Sequence, residues 1–193
     1  MLVLSLVLIP FLGSALAAVL PQRARNSEFW LAAGVCVYAL VATASLYNEV
    51  AAGAVLREEF AWLPAQGLDF VLRVDGLAWV FAMLVLAIGL LVVLYARYYM
   101  SPEDPVPRFF SFLMAFMGSM LGIVLSGNLV QLVVFWELTS LTSFLLIGYW
   151  HHRADARRGA RMAFQVTATG GLCLLAGVLV LGYIVGSYDL DVV

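Results

Sequence analysis

Glu137 is the residue whose type and position most demand a chemical explanation. It lies eight residues into the apolar run Leu129–Trp150. At about 1.5 Å per residue, that is roughly 12 Å below the edge of a bilayer's hydrocarbon, close to the midplane. Insertion scales put an ionised side chain there at a cost of about 2.5–3.5 kcal/mol. A basic partner, a water-filled cavity or a bound proton offsets that cost. Each of these favours reversible protonation, which is what an intramembrane proton relay uses. The other reading is a protonated carboxyl that only hydrogen-bonds helices together, a task Gln or Ser performs more cheaply.

Other polar residues are candidates to accompany it. Ser140 projects from nearly the same helical face one turn along, whereas Thr139, Thr142 and Ser143 are expected to bond back to their own helix. Gln165, Thr167, Thr169, Gly170 and Gly171 form a polar, glycine-containing patch in a later apolar run. That patch is either the lining of a hydrated path or a place where helices pack closely. His151 and His152 follow the Glu137 run. They carry side chains that titrate near neutral pH, which fits a proton entry point or a plain interfacial position.

Composition dictates what must hold these residues. Of 193 residues 64% are hydrophobic and 11% charged, and the mean hydropathy is +1.02. Soluble domains are typically about 45–50% apolar and about 25% charged, so a soluble enzyme is excluded. The expected fold is all-α: a polytopic membrane protein with about six transmembrane helices, since lipid-exposed backbone must satisfy its own hydrogen bonds. The spans read as Leu2–Leu20, Phe29–Tyr47, Leu77–Tyr98, Phe109–Ser126, Leu129–Trp150 and Ala163–Val185. The first is expected to be retained rather than cleaved, because Arg23 and Arg25 follow it and no basic residue precedes it. Trp30, Trp62, Trp79, Tyr95, Tyr98, Tyr99, Tyr149 and Trp150 fall near span ends as interfacial anchors. Cys36 and Cys173 read as small buried hydrophobes, and no spacing suggests a metal site.

Charge sets the orientation. All ten basic residues are arginine. Eight of them (Arg23, Arg25, Arg97, Arg108, Arg153, Arg157, Arg158 and Arg161) fall in alternate loops, against Arg57 and Arg73 in the others. The positive-inside rule makes the first set cytoplasmic and both termini external. Eleven of the twelve acids read as loop residues, leaving Glu137 alone within a span. In the long outer connection Asn48–Gly76, Phe70, Leu72 and Val74 alternate with polar residues. This predicts a strand pairing with Phe60–Leu63 across Pro64–Gly67, an extracellular β-hairpin. Asp75 then caps the third span, whose Arg97 snorkels at the far end. Spans four and five are joined by Gly127-Asn128 alone, which makes them a tight antiparallel pair.

Two blocks carry a family resemblance. Val74-Asp75-Gly76-Leu77-Ala78 leads to Tyr95-Ala96-Arg97-Tyr98-Tyr99-Met100. Gly127-Asn128-Leu129 leads through Phe135-Trp136-Glu137-Leu138-Thr139-Ser140 to Ser143–Gly148. Together they resemble the N-terminal module of antiporter-like proton channels. That family includes the large subunits of Mrp-type Na+/H+ antiporters and the proton-pumping membrane subunits of respiratory complex I. Gln165–Gly171 is similar to the large Mrp subunit of the A type, and the arginine and aspartate typical of the complex I branch are absent from it.

The resemblance implies a non-enzymatic antiporter subunit without cofactors in the bacterial-type inner membrane. Its partners would be Na+, H+, lipid and other subunits of a multisubunit complex, and no nucleic acid. Proton flow would be relayed by Glu137, with Ser140, Thr167, Thr169, His151 and His152 as candidate pathway residues. In the family, the matching glutamate pairs with a lysine on a later helix, and this sequence has no lysine. The chain is therefore expected to be the N-terminal part of a longer subunit, transport-dead and poorly stable alone. Residues 1–76 would be two N-terminal helices plus the outer loop, and 77–193 the start of the channel domain. The competing readings are a proton-pumping membrane protein of complex I and a non-transporting scaffold.

Overall fold

Two of the long helices of the computed structural model begin at residues whose side chains cap them. The structure describes residues 1–21, 25–63, 68–101 and 104–193. Arg23 and the expected hairpin turn Pro64–Gly67 lie outside the described residues, as do the side chains of Arg25 and Trp62. The helices are α1 (Leu2–Val19), α2 (Arg25–Ser45), α3 (Tyr47–Ala51), α4 (Gly76–Tyr99), α5 (Val106–Val124), α6 (Leu129–Ile147) and α7 (Ala154–Val185). Asp75 caps α4 by accepting from the Ala78 amide at 2.8 Å. Asn128 caps α6 by accepting from the Val130 amide at 2.9 Å. At its far end, α7 stops at Gly186, whose φ of 79° is a left-handed conformation that a side chain would strain. Among the described residues, six helices are long and apolar enough to cross a membrane, so this is a multi-pass all-α membrane protein.

Packing follows the order of the helices only in part. α1 lies along α5, and α2 lies along α4; α5 then contacts α6, and α6 contacts α7. Leu6 and Val7 of α1, Leu86 of α4, and Phe110, Met114 and Leu121 of α5 are essentially fully buried. Cys36 of α2 is buried too, its thiol 3.7 Å from the Met117 sulfur. Cys173 corrects the sequence reading: it is exposed on the outward side of α7. Tyr149 likewise is packed inward against Phe109 rather than displayed at an interface.

Hydropathy located the span in α7 but missed its start. The helix begins nine residues before Ala163, so Arg157, Arg158 and Arg161 stand on its first turns rather than in a loop. Alanine and arginine are good helix formers, and a helix need not stop where hydrocarbon does. Its 32 residues extend about 48 Å, well past the roughly 30 Å of membrane core.

The outer connection folds as expected into an antiparallel pair, β1 (Leu56–Leu63) and β2 (Leu68–Val74). The first strand starts four residues before the expected Phe60, which sets Arg57 opposite Arg73. Like charges so placed repel, and a ring of carboxylates compensates them. Arg57 pairs with Glu59, Asp189 and Asp191, and Arg73 pairs with Asp75 and Asp191 at 2.6 and 2.7 Å. Glu58 reaches the other way and accepts from the Val3 and Leu4 amides, both at 3.1 Å, capping α1.

The turn between α5 and α6 is held from both sides. Gly127 donates its amide to Val71 O at 2.8 Å, and its own carbonyl accepts from Leu190 at 2.9 Å. Gln131, buried in the first turn of α6, accepts from the Val71 amide at 2.8 Å and donates to the Val71 carbonyl at 3.0 Å. The hairpin, the α5–α6 turn and residues 188–191 thus form one hydrogen-bonded platform, from which α6 descends.

Candidate intramembrane carboxylate site

Glu137 is the ninth residue of the 19-residue α6, close to its midpoint. The side chain is half-buried, and its Oε1 is fully buried with no hydrogen-bond partner among the described residues. It fits against α7 at Gly171. A Cβ built on Gly171 would lie 1.6 Å from Glu137 Oε1 and 2.8 Å from its carboxyl carbon, so any side chain there would push the carboxyl out of this position. Gly171 shares a narrow buried face of α7 with Ala160, Val178 and Gly182. Small residues there bring α7 close to α6, and the carboxyl occupies the seam.

Around Glu137 the hydroxyls look elsewhere. Ser140 is buried but donates to the Trp136 carbonyl at 3.3 Å. Thr139 donates to the same carbonyl at 2.7 Å, Thr142 to Leu138 O at 2.7 Å, and Ser143 to Ser140 O at 3.0 Å. The last three behave as the sequence reading expected, satisfied within their own helix. The polar patch of α7 divides. Gly171 faces Glu137, whereas Gln165, Thr167, Thr169 and Gly170 are exposed on outward faces. Thr167 and Thr169 bond back to Ala163 O at 3.0 Å and Gln165 O at 2.7 Å. His151 and His152 are exposed in the α6–α7 turn, more than about 15 Å along the helix from Glu137. The structure therefore brings Gly171, not the other candidate pathway residues, to the carboxyl.

A second carboxyl escaped the sequence reading. Glu28, expected in a loop, lies in the first turn of α2 and is 0% exposed, with neither oxygen hydrogen-bonded. The helix starts at Arg25 rather than Phe29, which carries Glu28 into register with buried Ala32, Val35, Ala39 and Ala42. That i, i+4, i+7 spacing was the available signal. Five further acids also depart from a loop assignment, since Asp155 stands on α7, Glu49 on α3, and Glu58, Glu59 and Asp69 on the strands, whereas Asp75, Asp104, Asp189 and Asp191 lie between or beyond these elements as expected.

A half-buried carboxyl midway along an apolar helix, with an oxygen that has no hydrogen-bond partner among the described residues, is a costly group to keep there.

Comparison with known proteins places this geometry in context. The family model described as "NADH-Ubiquinone oxidoreductase (complex I), chain 5 N-terminus" matches residues 62–110. The model described as "NADH:quinone oxidoreductase/Mrp antiporter, TM" matches residues 126–193. The A/B subunit of a probable K(+)/H(+) antiporter from Rhizobium meliloti is 57% identical over 187 residues, covering 97% of this chain and 19% of that protein. The A-type subunit of the Na(+)/H(+) antiporter from Alkalihalophilus pseudofirmus is 43% identical over 139 residues, covering 72% of this chain and 17% of that one. In three dimensions the Mrp complex from Dietzia sp. DQ12-45-1b superposes with a TM-score of 0.85 at 29% identity, over 99% of this chain and 20% of that chain. The chain spans about a fifth of the length of the curated relatives it matches.

Proposed function

The chain belongs to the antiporter-like family of membrane subunits, with likeness to the N-terminal part of the large Mrp-type subunits, and on that premise we propose that it serves a multisubunit cation/proton antiporter in which Glu137 relays protons. Its setting is the plasma membrane, with the hairpin outside and the arginine-bearing turns of α7 inside. The hairpin arginines Arg57 and Arg73 are tied to carboxylates, which leaves the positive excess at the opposite end, as the positive-inside rule requires of a cytoplasmic face.

The observation that carries the relay is the pairing of an orphaned Oε1 with the room left by Gly171. A carboxyl without fixed hydrogen bonds is free to exchange its proton with mobile water or with a group on a neighbouring element. Inward proton flow through such a group is coupled to extrusion of a monovalent cation. Relatives are named for K+ and for Na+, so both ions belong in the assay. A proton-pumping role beside redox subunits is the second reading, favoured by the complex I model over residues 62–110. The Gln165–Gly171 segment, similar to the Mrp pattern, weighs against it.

The test is Glu137→Gln in the intact gene, which keeps size and hydrogen bonding but removes titration. Cation-driven dequenching of a pH-sensitive dye in everted vesicles is expected to fall by at least about 100-fold, the scale of losing a positioned proton-transfer group, with expression unchanged. Undiminished dequenching sinks the relay.

A further inference from the structure

The end of the molecule opposite the hairpin carries a second polar feature, outside the seam of Glu137. A cavity of about 300 Å³ opens where α5, α6 and the start of α7 meet, lined by Arg108, His151, Arg157 and Arg161, with Phe144 and Leu145 along one side. No carboxylate lines it. Asp155 and Asp104 are the nearest acids in sequence, and neither is part of its wall. None of the three arginines is in an ion pair among the described residues, in contrast to Arg57 and Arg73.

Their few bonds are to neutral groups. Arg157 donates Nη1 to the His151 carbonyl at 2.9 Å, Arg161 donates Nε to the Arg157 carbonyl at 3.3 Å, and Arg108 Nη1 lies 3.4 Å from His151 Nδ1. A guanidinium has five N–H donors in a fork that matches phosphate oxygens, and each here has most of them left.

We propose that this cleft binds the phosphodiester headgroup of an anionic phospholipid. Three observations favour a lipid over another anion. The cleft sits at the level of Trp150, whose ring nitrogen bonds Asp104, at the end of α6 where aromatic residues mark the membrane interface. Phe144 and Leu145 on its α6 side are apolar and half-buried, which suits the start of an acyl chain better than a free anion. Basic pockets between membrane helices on the cytoplasmic side are suited to such headgroups, each arginine adding to the attraction. The bound headgroup bridges α5, the α6–α7 turn and α7, so it clamps the two helices that frame Glu137. The site stands independently of the relay.

The experiment uses the protein purified in mild detergent with any subunits that copurify. Thermal unfolding is followed while titrating phosphatidylglycerol, phosphatidylcholine or inorganic phosphate. Phosphatidylglycerol is expected to raise Tm saturably, and the other two to leave it unchanged. Arg157→Gln with Arg161→Gln should weaken the apparent phosphatidylglycerol affinity about 30-fold, without lowering Tm in phosphatidylcholine. Arg158→Gln, outside the cleft, should leave the affinity unchanged. If the double variant does not purify, Arg108→Gln reads the same quantity, with a loss of about fivefold expected. An equal response to phosphatidylcholine, or an undiminished affinity in the arginine variants, overturns the proposal. So does an inorganic phosphate response matching that of the lipid, which assigns a free anion. Loss of a copurifying subunit with the lipid response intact assigns the arginines to a protein contact instead.

Discussion

The hairpin end and the middle of α6 treat charge in opposite ways. At the hairpin, Arg57 and Arg73 face each other across β1 and β2 and are surrounded by Glu59, Asp75, Asp189 and Asp191. Each of these six charges has a partner, and the result is architecture: the platform fixes where α4 and α6 begin. In the middle of α6, Glu137 has a buried oxygen with no hydrogen-bond partner among the described residues and a glycine where a side chain would block it. Partnered charges hold a shape, while an unpartnered one is what the proposed relay draws on. Six of the 22 charged residues build the platform, whereas Glu137 in the seam and Glu28 in the first turn of α2 keep carboxyl oxygens without a hydrogen-bond partner among the described residues.

That contrast can be broken at the seam first. Gly171→Ala places a methyl 1.6 Å from Glu137 Oε1, so the carboxyl or the helix must move. Antiport should drop by at least about tenfold, since small displacements of a positioned group are costly to rate, while expression stays normal. The neighbouring Gly170→Ala, with nothing within 4 Å of its new methyl, should transport as wild type. Equal activity in the two alanine variants would mean that the seam does not matter.

Changes at the platform should act on stability rather than on proton chemistry. Gln131→Leu strands the buried amide of Val71 and removes one of the two donors to its carbonyl, which keeps the Gly127 amide, a loss of about 1–3 kcal/mol. Limited proteolysis should then cut within residues 56–74 several times faster, and the pH dependence of any remaining antiport should not shift. Arg57→Gln removes a partner from Asp189 and Asp191, both partly exposed. A smaller destabilisation of about 1 kcal/mol is expected after screening by solvent, read as a lower Tm that high salt partly abolishes in the wild type.

The smallest effect is a pH signature. Hydrogen bonds from the Arg57 guanidinium hold the Asp189 carboxyl below its ordinary value of 3.8, with burial opposing. A depressed carboxylate contributes stability that is fully present above that ordinary value and is lost as pH falls through the folded one. The Tm of the wild type should therefore decline more steeply than that of Asp189→Asn as pH is lowered below about 4. Parallel curves would remove Asp189 from the account.

The sequence made some of this legible and concealed the rest. Spans were readable because hydrophobic runs of this length have few other uses, and Glu137 was conspicuous as a carboxyl deep inside one. The hairpin was visible in the alternation around Phe70, Leu72 and Val74. What could not be read was anything set by long-range partners. Arg57 and Arg73 looked like stray loop charges because Asp189 and Asp191 lie more than a hundred residues away. Gln131 resembled any polar residue in a first turn until β2 was seen to dock on it. Glu28 was misplaced because span edges were drawn by hydropathy, whereas α2 starts earlier and its helical phase turns the residue inward. Gly171 stood within the polar patch read from sequence, but only the packing of α7 on α6 distinguishes it from Gly170.

The central claim, that Glu137 changes protonation as the protein works, is tested most directly by infrared difference spectroscopy. Membranes containing the intact gene product are perfused alternately with and without the transported cation at constant pH. The account predicts a carbonyl-stretch difference band from a protonated carboxylic acid that appears in the wild type and is absent in Glu137→Gln. An unchanged band in the variant, or no carboxylic acid band in a wild type that is transporting, would contradict it.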